Sequence, residues 1–376
     1  VGSASDYFFQ FHYGPFFRTS PVVYGRVAAR QTTPALQLMV RPFRPHDLEP
    51  VLRLLATAMP QDPISAARFT RQVLLDPNFR AEGAVVAEID GEAAGFCLAL
   101  ARHVPLENAP PDGDRGYLTL LAVLPPLQRR GIGSALLERA EAYLRGQGRK
   151  TVLVSPYAPG YFIPGVDVQA YAGALAFFLK HGYHEAHRPL AMEAPLCRRS
   201  PPPWPAERET ALRAAGVVIE TYRPELTLPL LTFVREEFPG DWVRVVREAM
   251  ARVLLGEPPA RLILAREGGR VLGFVHHEGE RFGPIGVAAP ERGRGLGRVL
   301  MFRALAAMRE EGFRIAWFLW SDDATARRLY HPGGFREVRR FAILRKDLEG
   351  GERGRPPGKE ARSIAGHPER FRDHEP

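Results

Sequence analysis

Apolar positions along the chain switch repeatedly between a period of two and a period near 3.6, and the switches mark the elements. "LMVRPF" reads as a strand, followed by a helix capped at Asp47 and running through "LEPVLRLLATA", with a second helix after Ser65. "AVVAEIDGEAAGFCLAL" is two strand runs joined at Asp90-Gly91, a strong hairpin signal. A polar, proline-rich loop from Arg102 to Arg115 leads into the apolar run "YLTLLAVLPP" (Tyr117 to Pro126). Leu136, Leu137, Ala140 and Leu144 then recur at helical spacing, "KTVLVS" is another buried strand, and "ALAFFLKHGY" ends a helix at Gly182 before two short strands.

The same order then repeats. "VVIETY" is a strand, "LTFVREEF" and "DWVRVVREAMARVLL" are helical, and "RLILAREGGRVLGFVHH" is a hairpin. A glycine turn, "RIAWFLW" and a helix ending at "LYHPGGF" complete the series. Gly131 matches Gly295 and Gly133 matches Gly297 at an offset of 164 residues, which also carries Leu136 onto Leu300, Ala140 onto Ala304 and Leu144 onto Met308. A repeat of domain length predicts two copies of one fold rather than a solenoid. From Gly131 to Gly182 is 51 residues and from Gly295 to Gly334 is 39, so the first copy carries 12 extra residues around "PYAPGYFIPGVD".

These patterns divide the chain into residues 39–196 and 216–348, joined by a proline-rich linker at 197–215. Residues 1–38 read as a disordered or mis-called extension ahead of a natural start at Met39, and 349–376 as a disordered charged tail. The composition, 45% apolar and 25% charged, is that of a globular chain. No run of eighteen apolar residues predicts a transmembrane helix, and two distant cysteines, Cys97 and Cys197, point to a reducing cytoplasm. The net charge of +9 comes almost wholly from arginine, since only Lys150, Lys180, Lys346 and Lys359 are lysines. Without a long basic stripe interleaved with aromatics, this charge argues against nucleic acid as partner. No metal-ligand spacing occurs.

Each glycine turn follows an apolar strand and opens a helix, where unpaired N–H groups meet the positive end of the macrodipole and can hold a phosphate or pyrophosphate. The two turns stand as Gln128-Arg129-Arg130-Gly131-Ile132-Gly133 and Arg292-Gly293-Arg294-Gly295-Leu296-Gly297. They resemble the acetyl-CoA motif of the GNAT acetyltransferase superfamily, as do the opening "VRPFRPHDLEPVLRLL" and the closing "FFLKHGY" and "LYHPGGF". A dinucleotide-binding reading fits less well, because its third glycine falls on Leu136 and Leu300.

The resemblance implies an α/β fold of two tandem GNAT domains, each a mixed, mostly antiparallel sheet splayed at its fourth and fifth strands and flanked by helices. Each domain is expected to keep its own sheet. Acetyl-CoA would be held by the two turns, with Ser134 and Arg298 just inside the helices. Its pantetheine arm would lie beside Leu121 to Val123 in one copy and Ile285 to Val287 in the other. Tyr330 stands where family members protonate the departing thiolate, and Phe178 takes that position in the first copy. The second copy is therefore the favoured catalyst. Candidate general bases are His276, His277 and Glu278, or Glu88, His103 and Asp167 in the first copy. The loop 102–115 and the extra residues of the first copy are candidates to enclose an acceptor there.

The implied activity is transfer of an acetyl group from acetyl-CoA to a primary amine of a small molecule or protein. Two alternatives are a mycothiol-synthase-like acetyltransferase of an amino-sugar conjugate and a non-catalytic acyl-CoA sensor or scaffold. The sequence leaves the acceptor and the oligomeric state open.

Overall fold

The computed structural model describes residues 37–348 apart from 110, 198–201, 239 and 257–258. The expectations for residues 1–36 and for the tail from 349 lie outside the described residues. In chain order the first copy holds β1 (Leu38–Pro42), α1 (Leu48–Ala58), α2 (Ala66–Phe69), β2 (Ala84–Ile89), β3 (Glu92–Ala101) and β4 (Arg115–Val123). It continues with α3 (Ile132–Gly146), β5 (Thr151–Val154), β6 (Val166–Asp167), α4 (Ala172–Lys180), β7 (His184–His187) and β8 (Leu190–Pro195). The second copy holds α5 (Trp204–Ala214), β9 (Val217–Thr221), α6 (Thr227–Glu237), α7 (Trp242–Leu255), β10 (Ala260–Glu267) and β11 (Arg270–Glu278). Then come β12 (Arg281–Val287), α8 (Leu296–Glu310), β13 (Ile315–Ser321), α9 (Asp323–Thr325) and β14 (Arg336–Asp347).

Local chemistry explains the joints. Asp90 and Gly91, at φ of 52° and 84°, give the β2–β3 hairpin the left-handed pair that a two-residue turn needs. Ser65 caps α2 by accepting from the Arg68 N–H at 3.2 Å. Asp47 is not the side-chain cap of α1 that its position suggests. Its carboxylate is buried against Arg41, at 2.6 and 2.7 Å, and accepts the Arg44 N–H at 2.6 Å, which fastens the turn before α1 to β1.

Both faces of the sheet are covered. In the first copy α1 and α2 pack one face through Val51, Leu55 and Phe69, while α3 packs the other through Leu136, Ala140 and Leu144. In the second, α6 and α7 cover one face through Leu230, Val243 and Val246, and α8 covers the other through Leu300, Ala304 and Met308. Each of these Val, Leu, Phe and Met side chains contributes about 1.5–3 kcal/mol when fully buried.

The sheet departs from the expectation of two separate sheets. It runs unbroken as β1-β2-β3-β4-β5-β14-β8-β13-β12-β11-β10-β9, because the copies exchange their last strands. The C-terminal half of β14 lies between β5 and β7, with Leu344 opposite Val154 and Asp347 opposite Thr151. In return, β8 lies against β13, with Ala316 opposite Ala194, and against the N-terminal half of β14. The expected splay is nonetheless present in each half. Parallel pairing of β4 with β5 runs only from Arg115↔Thr151 to Leu118↔Val154, and β12 meets β13 at Arg281↔Trp317 alone. The segment expected as a linker contains α5, which carries buried Pro205 and Leu212 and reaches α8.

Candidate active site

The two glycine turns have the same backbone. Gly131 and Gly295 both sit at φ of 84° immediately before α3 and α8. That left-handed conformation, which side-chain-bearing residues avoid, turns the chain so that the first N–H groups of each helix point outward together. Two residues earlier Gly293 lies at φ of 82°, whereas its counterpart Arg129 holds φ of 64° with a full side chain. Beside each turn one edge of β4, from Thr119, or of β12, from Phe282, has no neighbouring strand among the described residues. An extended amide-bearing chain can pair with such an edge as an added strand.

Around these turns the copies diverge. In the first, the Phe177 ring stands 3.3 Å from where a Cβ on Gly133 would lie and stacks on His181 at 4.2 Å. His181 Nε2 in turn meets Ser134 Oγ at 3.0 Å, which ties α3 to the end of α4. In the second, the nearest atoms to a Cβ on Gly297 belong to Val287 and Leu329 at 3.6 and 3.7 Å, an ordinary contact. Arg208 of α5 reaches across to donate to the Arg294 carbonyl at 2.7 Å, adding a cation that sequence spacing did not reveal. Arg298 donates to the Arg328 carbonyl at 3.0 Å, and Arg294 pairs with Glu291.

A cavity of about 1700 Å³ opens from the second turn. Gly293, Gly295, Leu296, Gly297 and Arg298 line one part of it, and the splayed strand from Phe282 to Val287 another. Helix α7, the end of β13 and Tyr330 line more of it, and a further wall comes from the first copy. The extra residues are anchored by Tyr157, fully buried, whose hydroxyl donates to Asp76 at 3.0 Å and accepts from Asn78 Nδ2 at 2.8 Å. From that anchor Tyr161 reaches across and meets the Trp320 ring edge-on at 5.8 Å. The loop 102–115 crosses as well. Asn108 Nδ2 donates to the Arg235 carbonyl at 2.9 Å, and the Gly240 N–H donates to the Asn108 carbonyl at 2.9 Å. The two excursions expected to enclose an acceptor in the first copy thus wall the cavity of the second.

The catalytic candidates separate accordingly. Tyr330 lines the cavity, packed against Phe318 and Phe335 with ring centroids 4.4 and 5.5 Å away. Burial, and then the nearby Asp322 charge, raises its phenol pKa, so the hydroxyl keeps its proton at neutral pH. His276 also lines the cavity. Its Nδ1 lies 3.4 Å from the Gly283 carbonyl, and its buried Nε2 has no hydrogen-bond partner among the described residues. Burial lowers its pKa to about 4, which leaves the imidazole neutral. Glu278 is paired with Arg252, and His277, fully buried with Nε2 3.8 Å from Glu311, does not line the cavity.

In the first copy Glu88 is taken by Arg41 and Asp167 by Arg339, the latter at 2.6 Å. His103 lines a separate cavity with Tyr143 and Arg80. Phe178 is buried in the core, and neighbouring Tyr183 spends its hydroxyl on Glu141 at 2.9 Å. Among the described residues no group of three or more His, Cys, Asp or Glu side chains is placed to hold a metal, and no helix is long and apolar enough to cross a membrane.

Comparison with known proteins agrees with this geometry. The family model described as "Acetyltransferase (GNAT) family" matches residues 50–183 and 229–335. A mycothiol acetyltransferase from Thermomonospora curvata is 30% identical over 309 residues, 76% of this chain and 89% of that protein. Among solved structures, a GCN5-related N-acetyltransferase from Sphaerobacter thermophilus superposes with a TM-score of 0.62 at 21% identity, over 84% of this chain and 97% of that one. A tandem GNAT protein from the clavulanic acid biosynthesis pathway gives a TM-score of 0.58 at 18% identity, over 84% and 100%. These last two share the fold.

Proposed function

The chain belongs to the acetyltransferase (GNAT) family and is an acetyl-CoA-dependent N-acetyltransferase, and from that premise we propose that its second copy carries out the transfer onto the primary amine of a small molecule. The observation that carries this reading is the shared cavity, which brings the second glycine turn, the open edge of β12, Tyr330 and His276 to one space. The turn from Arg292 to Arg298 holds the pyrophosphate through helix N–H groups and arginines. The pantetheine arm pairs with the free edge running from Ile285 to Val287. The thioester carbonyl then lies where β12 and β13 part, within reach of backbone donors that stabilise the oxyanion as charge develops.

The amine attacks the carbonyl carbon, the new N–C bond forms, and collapse of the tetrahedral intermediate breaks the C–S bond. Tyr330 gives its proton to the departing thiolate. The Gly283 carbonyl accepts the Nδ1–H of His276, so Nε2 offers a lone pair to the amine's surplus proton, directly or through water. In the first copy the matched turn, Gln128 to Ser134, with Leu121 and Val123 beside it, is assigned to hold CoA without turnover. There Phe178 has no proton to give.

A second reading takes the acceptor from the relatives, which bear the name mycothiol acetyltransferase at about 30% identity. Both readings make the same demand on Tyr330. Tyr330→Phe is expected to lower kcat about a hundredfold or more, the usual worth of a positioned acid, with CoA affinity nearly unchanged. Full activity in that variant, together with its loss in Gly133→Val, would move the chemistry to the first copy.

A further inference from the structure

The charges lining the shared cavity do not balance. Eleven arginines and seven carboxylates face it, and each of the seven is already engaged. Asp241 and Glu248 are held by Arg244, Asp112 by Arg102, Glu278 by Arg252, and Glu291 by Arg270 and Arg294. Asp76 accepts from Tyr157, and Asp322 caps α9 through the Thr325 N–H. Among the described residues, Arg71 and Arg281 make no ion pair. Arg68 donates only to Gln72 and to the Phe162 carbonyl, at 2.8 and 3.2 Å.

These arginines form one group. Arg68 is half-buried, and its pKa is lowered first by burial and then by Arg281 and Arg71, against an opposing pull from Asp62, which is itself held by Arg339. Arg252, despite its pairing with Glu278, is lowered by burial and also feels Arg71 and Arg281. Two exposed like charges beside half-buried Arg68 add to the cost of its own charge, and a counter-charge that joins them relieves it.

The group's place in the fold tells which anion it fits. Arg281 begins β12, and the strand runs six residues onward to Val287 before the glycine turn. At about 3.3 Å per residue the two ends stand roughly 20 Å apart. The CoA phosphates belong to the turn, so Arg281 lies at the opposite end, at the one paired position before β12 and β13 part, where the thioester is assigned. Arg68 and Arg71 approach that end from the first copy, beside Tyr161, whose own titration feels Arg281.

We propose that Arg68, Arg71 and Arg281 form an anion subsite for the acceptor, which is therefore an amine that also carries a carboxylate or phosphate, on the order of 10 Å from the reacting nitrogen. This rests on the assignment of donor and acceptor to the second copy. The counter-charge completes the arginine group only when the acceptor arrives. The subsite therefore selects among amines and has no part in holding CoA.

Calorimetric titration of the CoA-saturated protein tests it, with glucosamine 6-phosphate against glucosamine and β-alanine against its amide. The anionic member of at least one pair is expected to bind about tenfold or more tightly than its neutral partner, the size of a charge-assisted hydrogen bond. Which pair discriminates tells phosphate from carboxylate. Arg281→Gln and Arg71→Gln, both at exposed positions, are expected to erase that preference. Equal binding within both pairs, no binding of any of the four, or variants that keep the preference would each overturn the subsite. Failure of the underlying site reads differently: CoA then fails to saturate the protein through the second turn, or Tyr330→Phe keeps full activity.

Discussion

In the proposed mechanism burial divides the proton work between His276 and Tyr330, two groups of one cavity. Both are pushed toward their neutral forms, and the neutral forms are the useful ones: a phenol that still has its proton and an imidazole that still has its lone pair. For His276 the consequence for stability has a definite sign. Its folded pKa, about 4, lies below the ordinary 6.5, so between those pH values the unfolded chain takes up a proton that the folded one refuses. Stability is therefore fully present above about pH 6.5 and falls as the pH drops toward 4, by up to about 3 kcal/mol from this group. The difference in denaturant-unfolding stability between wild type and His276→Gln, followed from pH 7 to pH 4, is expected to shrink over that window. A difference independent of pH would mean that His276 titrates normally.

At the scale of elements, the exchange of β8 and β14 brings pairs of distant carboxylates under cations of the last strand. Arg339 of β14 grips Asp62 at 2.7 Å and Asp167 at 2.6 Å, and Lys346 meets Glu141 at 2.8 Å. Asp62 and Asp167 are 8% and 4% exposed at their side chains, so removing their partner leaves buried charge uncompensated. Arg339→Ala is expected to cost about 3 kcal/mol in urea unfolding, whereas Arg345→Ala, which breaks the exposed pair with Asp347, should change stability by less than about 1 kcal/mol.

This is also where reading the sequence reached its limit. The strands, the hairpin at Asp90-Gly91 and both glycine turns were legible, because each rests on local periodicity or on a residue type that a turn requires. The partner of a strand is not local. The alternation in "RRFAILRK" says which face is buried, and it fits equally well beside β13 or beside β5. Arg208, Tyr161 and the arginine group were missed for a related reason: each acts on a segment far away in sequence, across a distance that no spacing encodes. The extra residues of the first copy were visible as an insertion, and only the fold revealed which cavity they wall.

The molecule as a whole is two copies of one fold that cannot be cut apart between them. Residues 39–196 alone lack the strand that follows β5, and residues 216–348 alone lack the strand that follows β13, so either piece would expose the backbone of a central edge. Thermal unfolding of the full chain is expected to give one transition with matching calorimetric and van't Hoff enthalpies. Two resolved transitions would show that the copies melt independently despite the exchange.

The exchange also sets a timetable for the growing chain. Thr151 on β5 hydrogen-bonds Asp347 on β14, 196 residues later. At about 5–20 residues per second, translation leaves the β5 edge waiting on the order of 10–40 s for its partner. Through that interval the first copy is a nearly finished sheet with a bare central edge beside the ribosome. The earliest moment at which that edge can close is then set by synthesis itself, and the nascent first copy is the stage at which a chaperone has most to shield.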